Sequence, residues 1–444
     1  MRHLSEWLVP PDHHPQPLPG FVRTPRPPAV TADDGWTIGE VIDRRAIRTL
    51  FQKVIHLDSG EVVGFEALSR GPVGTSLESP LALLAAARDA GRLGELDWLC
   101  RAQALVTAAT ARLGKDVSWL VNVEPAGLAL ECPQHLRPLL DAASRSLRVI
   151  LEVVERDVEG HVTNLLHTAD KARQDSWGVA LDDVGAEEGS LALLPFLRPD
   201  LVKLDMSLVR DVPQRSAAAI SSAVLAYAER TGAVILAEGI ETAEQERLAR
   251  VFGATYAQGY RYGRPGPLPA SLPSPVHPIP LRQRLAPLGD NTPFDVLSEA
   301  LPVQQAAKSE LLHISQHLEG QAGRGVDASV LLACFQDRRF FSAAKRARYE
   351  ELSTSNALTV VLADDLDDFA GPRYHTAAIK PGSRLGQEWV VIVINPHYSA
   401  AFVARDCADP GPDGGRRFDY VYTHDRDAVV CAARAFLKEL RPAP

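Results

Sequence analysis

The five cysteines of this 444-residue chain, Cys100, Cys132, Cys334, Cys407 and Cys431, stand far apart, and no CxxC pair occurs. An odd, dispersed set excludes a disulfide framework and offers no zinc-type spacing. Long apolar runs are also missing. No stretch approaches the roughly 18 residues of a membrane span, and the opening MRHLSEWLVPPDHHPQPLPG lacks the apolar centre of a signal peptide. Positive charge is in deficit, with a formal net charge of -9, which argues against binding long nucleic acid by neutralising its phosphates. The expectation is a cytoplasmic protein without a membrane span, in which a few local cations can still hold a small anionic ligand.

What is present points to folded domains. Hydrophobic residues make up 45% and charged residues 23%, the balance of a globular chain. At about 100 to 200 residues per domain, the length suggests two or three units. Residues 1–38 are proline-rich, with Pro10, Pro11, Pro15, Pro17, Pro19, Pro25, Pro27 and Pro28, and read as a disordered lead-in. A second such stretch, RPGPLPASLPSPVHPIPL, marks a linker over residues 267–292. The expected domains are therefore 39–266 and 293–442.

In the first domain, short apolar strands alternate with amphipathic stretches, the pattern of parallel strands joined by helices. The strands read IRTLFQKVIHL, VVGFEALSR, SWLVNVE, VILEVVE, VALDDVG, LVKLDMS, VILAEGIE and TYAQGYR. Eight of them predict a closed β/α barrel of the TIM type. Asp58-Ser59-Gly60 is too short for a helical crossover, so the first two strands are expected to pair as an antiparallel hairpin. Ser79-Pro80 reads as an N-cap followed by proline at the first helical position.

Seven strand runs end in a polar group: Glu66, Asn122, Glu152, Asp182 with Asp183, Lys203, Glu238 and Gln258. In a β/α barrel the carboxyl ends of the strands converge on one mouth, where active sites are built. An isolated EAL tripeptide or DD pair means little; seven strand ends in barrel order mean more. Glu66, Asn122, Glu152 and Asp182 supply hard oxygen ligands suited to Mg2+ or Mn2+. Adjacent Asp182 and Asp183 suit a pair of ions, one carboxylate bridging and the other holding the second, with a water between them as nucleophile. Lys203 is placed to stabilise developing negative charge. Glu238 and Glu241 are the two candidates for managing the proton of that water, and the sequence leaves the choice between them open.

The string GFEALSR, from Gly64 to Arg70, resembles the signature of the EAL family of cyclic di-GMP phosphodiesterases. NVEP, LEVVER, DDVG, VKLD, AEGIE and QGYRYGRP follow in the family's order, up to about residue 265. The resemblance implies a barrel with an antiparallel first strand, two divalent ions, and hydrolysis of cyclic di-GMP to linear pGpG. It implies that Glu66, Asn122, Glu152, Asp182 and Asp183 ligate metal and that Lys203 and Glu238 are catalytic. Arg70, Glu241 and Gln258 match positions near the nucleotide or metals, and Glu155 matches a glutamate that holds the loop after the DD strand. A homodimer through the barrel is also implied.

That loop departs from the family pattern. Where the family has Phe-Gly-Thr-Gly and an aromatic, this chain has Val184, Gly185, Ala186, Glu187 and Glu188. The departure motivates an alternative, a receptor that binds cyclic di-GMP with little or no catalysis; hydrolysis of another phosphodiester is a third. After the linker, SEALPVQQAAKSELLHISQHLEG and DRDAVVCAARAFLKEL read as helices, and ALTVVLADD, EWVVIVINP, AAFVARD and RFDYVYT as strands. This smaller α/β domain resembles the DICT sensory domain, which implies regulation of the barrel.

Overall fold

The structure is a computed structural model, and it describes residues 35–124, 131–154, 158–185, 190–205, 207–210, 215–281, 289–323, 329–370, 374–409 and 412–440. Glu155, Ala186, Glu187, Glu188 and residues 1–34 of the proline-rich lead-in lie outside the described residues.

Eight strands close the barrel: β1 (Arg48–His56), β2 (Val62–Arg70), β3 (Ser118–Val123), β4 (Arg148–Val154), β5 (Gly178–Val184), β6 (Leu201–Leu204), β7 (Val234–Ala237) and β8 (Tyr256–Ala257). β1 runs antiparallel to both β2 and β8, and the remaining neighbours are parallel. The hairpin and the antiparallel first strand are as expected. Ser79 Oγ accepts the Ala82 N–H at 3.2 Å and caps the helix Pro80–Asp89.

Strand periodicity organises the barrel interior. Side chains two apart share a face, so seven of the eight strands contribute one apolar residue to a floor layer and one polar residue to a mouth layer; β2 brings Glu66 to the mouth, with Gly64 two residues before it. The floor layer contains Val54, Leu120, Ile150, Ala180, Leu201, Leu236 and Tyr256. Two positions nearer the mouth lie Gln52, Asn122, Glu152, Asp182, Lys203, Glu238 and Gln258. On β1 the step runs backward along the chain, because that strand is antiparallel.

The stretch expected as a linker closes the floor. Ile279 is fully buried among the floor residues, and Leu281 packs beside it. Gly178 makes room: a Cβ there would meet Leu281 Cδ2 at 2.5 Å. The strap is tied by hydrogen bonds from Arg148 to the Ile279 carbonyl (2.5 Å) and from Tyr256 to the His277 carbonyl (3.4 Å). Seven prolines forbid helix and sheet ladder, but they do not forbid an ordered extended strap with two apolar anchors.

The second domain is an eight-stranded sheet in the order β12-β13-β11-β10-β14-β15-β16-β9. Its strands are β9 (Gln304–Ala307), β10 (Val330–Asp337), β11 (Leu358–Asp364), β12 (Phe369–Ala370), β13 (Tyr374–Ala378), β14 (Glu388–Ile394), β15 (Ser399–Asp406) and β16 (Arg417–Thr423). Alternate residues of the central strands serve two cores. Leu331, Ala333, Val391 and Val393 pack with helices Lys308–Ala322 and Ala343–Ser353. Val330, Leu332, Ile392 and Ile394 belong to a cluster that includes helices Pro293–Ala300 and Arg426–Leu437 and runs on into the barrel's outer helices. The single helix expected from SEALPVQQ onward is broken, because Pro302 follows the first segment and Gln304–Ala307 joins the sheet edge instead.

Candidate active site

The mouth is organised around Lys203, whose side chain is 1% exposed. Its Nζ lies 2.7 Å from Glu152 Oε1, 2.8 Å from Glu238 Oε1, 2.9 Å from Asp182 Oδ1 and 3.9 Å from Glu66 Oε1. Four carboxylates therefore share one ammonium. Burial works against the charged lysine, but Asp182, Glu152, Glu238 and Glu66 outweigh it and hold its pKa well above the usual range. Burial, with the neighbouring carboxylates, pushes Glu152 and Glu238 well above the ordinary carboxylate range. The cluster has more negative charge than one lysine balances.

A second set of bonds fixes Glu66. Asn122 Nδ2 donates to Glu66 Oε1 at 3.1 Å, and Gln258 Nε2 donates to Glu66 Oε2 at 2.5 Å and to Gln52 Oε1 at 2.9 Å. Gln52 in turn donates to the Gly263 carbonyl at 3.2 Å. Both Glu66 oxygens are thereby held in one orientation.

Adjacent residues of a strand ordinarily face opposite sides. Asp183 escapes this rule because its backbone is left-handed, φ 56°, at a register shift of β5 between Leu181 and Val184. A residue held there costs about 1–3 kcal/mol, and Asp is among the residues that tolerate it. The result is that Asp182, Asp183 and Glu238 each place an oxygen within 4.8 Å of the others. A cavity of about 390 Å³ opens above them, lined by Glu66, Asp183, Asp205, Glu238, Glu241 and Gln258 among others.

The cavity thus gathers Glu66, Asp183, Glu238, Glu241 and Gln258, with Glu152, Asp182 and Lys203 buried beneath and Asn122 bonded to Glu66. Arg70 ends β2 at the rim, its guanidinium donating to the Ser69 carbonyl at 2.8 Å and within electrostatic reach of Glu66 and Tyr260. Glu155 falls outside the described residues. Sequence reasoning missed Gln52, Asp205 and Tyr260. Gln52 escapes a reading based on carboxyl strand ends, because antiparallel β1 presents its earlier residues to the mouth. Its register opposite Glu66 follows from the hairpin and was the signal available. Asp205 stands in the VKLD block two residues after Lys203.

The donor set fits hard divalent ions. Glu152 is fully buried; its Oε1 meets the Lys203 ammonium at 2.7 Å, while its Oε2 has no hydrogen-bond partner among the described residues. Buried carboxylates left short of donors are the ligands an oxygen-seeking cation satisfies, releasing protons as it enters.

A family model described as EAL domain matches residues 38–265, and one described as Sensory domain in DIguanylate Cyclases and Two-component system (DICT) matches residues 294–406. Cyclic di-GMP phosphodiesterase RocR of Pseudomonas aeruginosa is 28% identical over 239 residues, 51% of this chain and 59% of that protein. Probable cyclic di-GMP phosphodiesterase PdeB of Escherichia coli is 28% identical over 237 residues, 51% of this chain and 44% of its own. The chain spans between 23% and 59% of the length of the first curated relatives it matches. Among solved structures, a manganese and cyclic di-GMP complex of Klebsiella pneumoniae BlrP1 is 27% identical over 53% of this chain and 58% of that one, with a TM-score of 0.44. Among the described residues no helix is long and apolar enough to cross a membrane. With the EAL model matched over half its length and the DICT model after it, the chain belongs to the EAL family and joins an EAL barrel to a DICT sensory domain.

Proposed function

We propose that this protein hydrolyses cyclic di-GMP to linear pGpG at the barrel mouth, using two divalent ions, Mg2+ or Mn2+. The observation that carries the reading is the gathering of Glu66, Glu152, Asp182 and Glu238 around one buried lysine, with Asp183 turned back toward them. Glu66, Asn122, Glu152, Asp182 and Asp183 would hold the ions. When bound, these supply Lewis-acid activation of a phosphoryl oxygen and of a water.

The chain's own side chains do the rest. Lys203 orients Glu152, Asp182 and Glu238 and offers positive charge where the phosphate becomes more negative. Glu238, which lines the cavity and lies 2.8 Å from Lys203 Nζ, takes the water's proton. Gln258 and Gln52 keep Glu66 in register. Arg70 and Glu241 position the dinucleotide, the arginine fork pairing with phosphate oxygens. Water adds across one phosphodiester of the ring, whose P–O3′ bond breaks, and the product keeps the phosphate at its 5′ end. Glu155 is assigned the support of the loop after Asp183.

Regulation by the second domain belongs to the same reading. Helix Arg426–Leu437 packs against helix Ser190–Leu197, which follows the Asp182-Asp183 strand. Its buried Arg434 pairs with Asp170 on helix Val158–Gln174, where Arg173 donates to the Leu197 and Arg198 carbonyls. A signal that shifts the last helix therefore bears on the two helices behind β4 and β5. Homodimerisation through the barrel and a cytoplasmic setting complete the proposal; sedimentation velocity checks the first.

The test is purified full-length protein with Mn2+ or Mg2+ and cyclic di-GMP, followed by chromatography for pGpG. The altered residues Val184 to Glu188 favour a second reading, a receptor without turnover. Saturable binding with no product selects the receptor; accumulation of pGpG selects the enzyme.

A further inference from the structure

On the barrel floor, opposite the mouth, two side chains of the β1–β2 hairpin meet a third from the strap, more than 200 residues away. His56 ends β1, Glu61 stands in the turn before β2, and His277 lies on the strap. A ligand atom from each lies within 4.8 Å of the other two. The two imidazoles are stacked, with centroids 4.5 Å apart and planes inclined by 13°, and His277 Nδ1 is 2.9 Å from Glu61 Oε1.

The surroundings have the form of a ligand shell. His56 Nδ1 is 2.9 Å from Ser59 Oγ. In the tautomer that donates to this hydroxyl, Nε2 carries the free lone pair, the usual way a metal-binding histidine is oriented. Glu61 also accepts the backbone N–H groups of Val276 (3.2 Å) and His277 (2.6 Å), so its carboxylate and the strap are fixed relative to each other. Burial of His56 and Glu61 is partial and His277 is exposed, which leaves solvent a way to a further coordination position. Binding one ion through both stacked rings requires rotation about the terminal imidazole torsions, which are broad.

We propose that His56, Glu61 and His277 form a second metal site, for one Zn2+-class transition ion, which clips the strap to the β1–β2 hairpin. Two neutral imidazoles and one carboxylate are the nitrogen-rich set such ions prefer, whereas the mouth offers oxygen alone. The clip lies two residues before Ile279, the floor plug, on the segment that leads to the second domain. It would fix that segment from the side of the barrel away from catalysis.

The test uses full-length protein stripped with chelator and held in excess Mg2+ to occupy oxygen-only sites, then titrated with Co2+ and, separately, with Zn2+. The expected result is one Co2+ per chain with visible ligand-field bands, loss of those bands on adding Zn2+, and a rise in unfolding midpoint with Zn2+. H277A, at an exposed position, should lose the bands and the zinc-dependent rise while unfolding in Mg2+ alone as the wild type does; H56Q should behave likewise. E66Q, at the mouth, should keep both. Absence of bands in the wild type, an equal zinc response in H277A, or loss of the response in E66Q overturns the proposal.

Discussion

The mouth and the floor of the barrel are built from the same strands, two residues apart, and differ in almost every physical respect. Ile150 is an apolar floor residue and Glu152 a buried carboxylate beside an ammonium; Leu201 and Lys203, or Leu236 and Glu238, repeat the contrast. The floor is satisfied by packing and is closed by Ile279. The mouth is not satisfied by packing: Glu152 Oε2 is buried without a hydrogen-bond partner among the described residues, and Asp183 sits in a strained backbone region. Burying carboxylates around one lysine is costly unless something else balances them. Residues that stabilise and residues that act are thus separated by one step of strand periodicity.

The comparison can be broken most severely at Glu66. Glu66→Ala should abolish pGpG formation in a variant that still folds, because two amides lose a partner but no packing layer is lost. A folded variant with unchanged turnover would remove Glu66 from the site. Glu238→Gln comes next: loss of a general base lowers turnover by about 10²–10⁴-fold, with little effect on cyclic di-GMP affinity in a binding assay. The complementary change on the floor, Ile279→Ala, should leave mouth chemistry nearly intact and cost about 2–5 kcal/mol of stability, measured by denaturant unfolding. A flexible linker would show no such loss. Gln52→Ala sharpens the boundary between layers. It unpairs one bond of Gln258, and leaving a buried polar group unsatisfied costs about 1–3 kcal/mol. That cost should appear in turnover more than in substrate affinity. The smallest effect is expected from Arg434→Ala, a few-fold change in turnover with the mouth untouched, read in a steady-state assay of the full-length chain.

Much of this was legible in the sequence, for a definite reason. Strand runs with a polar group at the end project onto a known geometry, so Glu66, Asn122, Glu152, Asp182, Lys203, Glu238 and Gln258 were placed at the mouth before any coordinates. Gln52 was not, because strand direction inverts which end of β1 matters. The joint facing of Asp182 and Asp183 depends on a left-handed φ that no hydrophobic pattern encodes. The strap was read from its prolines, whereas its behaviour is set by Ile279 and Leu281, whose floor partners are distant in sequence. In the second domain, the continuous apolar run of β10 is not among the expected strands, although it forms the sheet's centre with β11 and β14 on either side. A strand buried on both faces has no alternation to betray it.

The central claim is that the mouth layer is a metal-dependent phosphodiesterase site centred on the buried carboxylates around Lys203. Its most direct test follows cyclic di-GMP and pGpG together in chelator-treated wild-type protein and in Glu152→Gln, before and after adding Mn2+. The account predicts no pGpG from either protein without the ion, restored turnover in the wild type on adding it, and none in the folded variant. Equal pGpG formation by the two proteins, or turnover by the wild type in the presence of chelator, would contradict it.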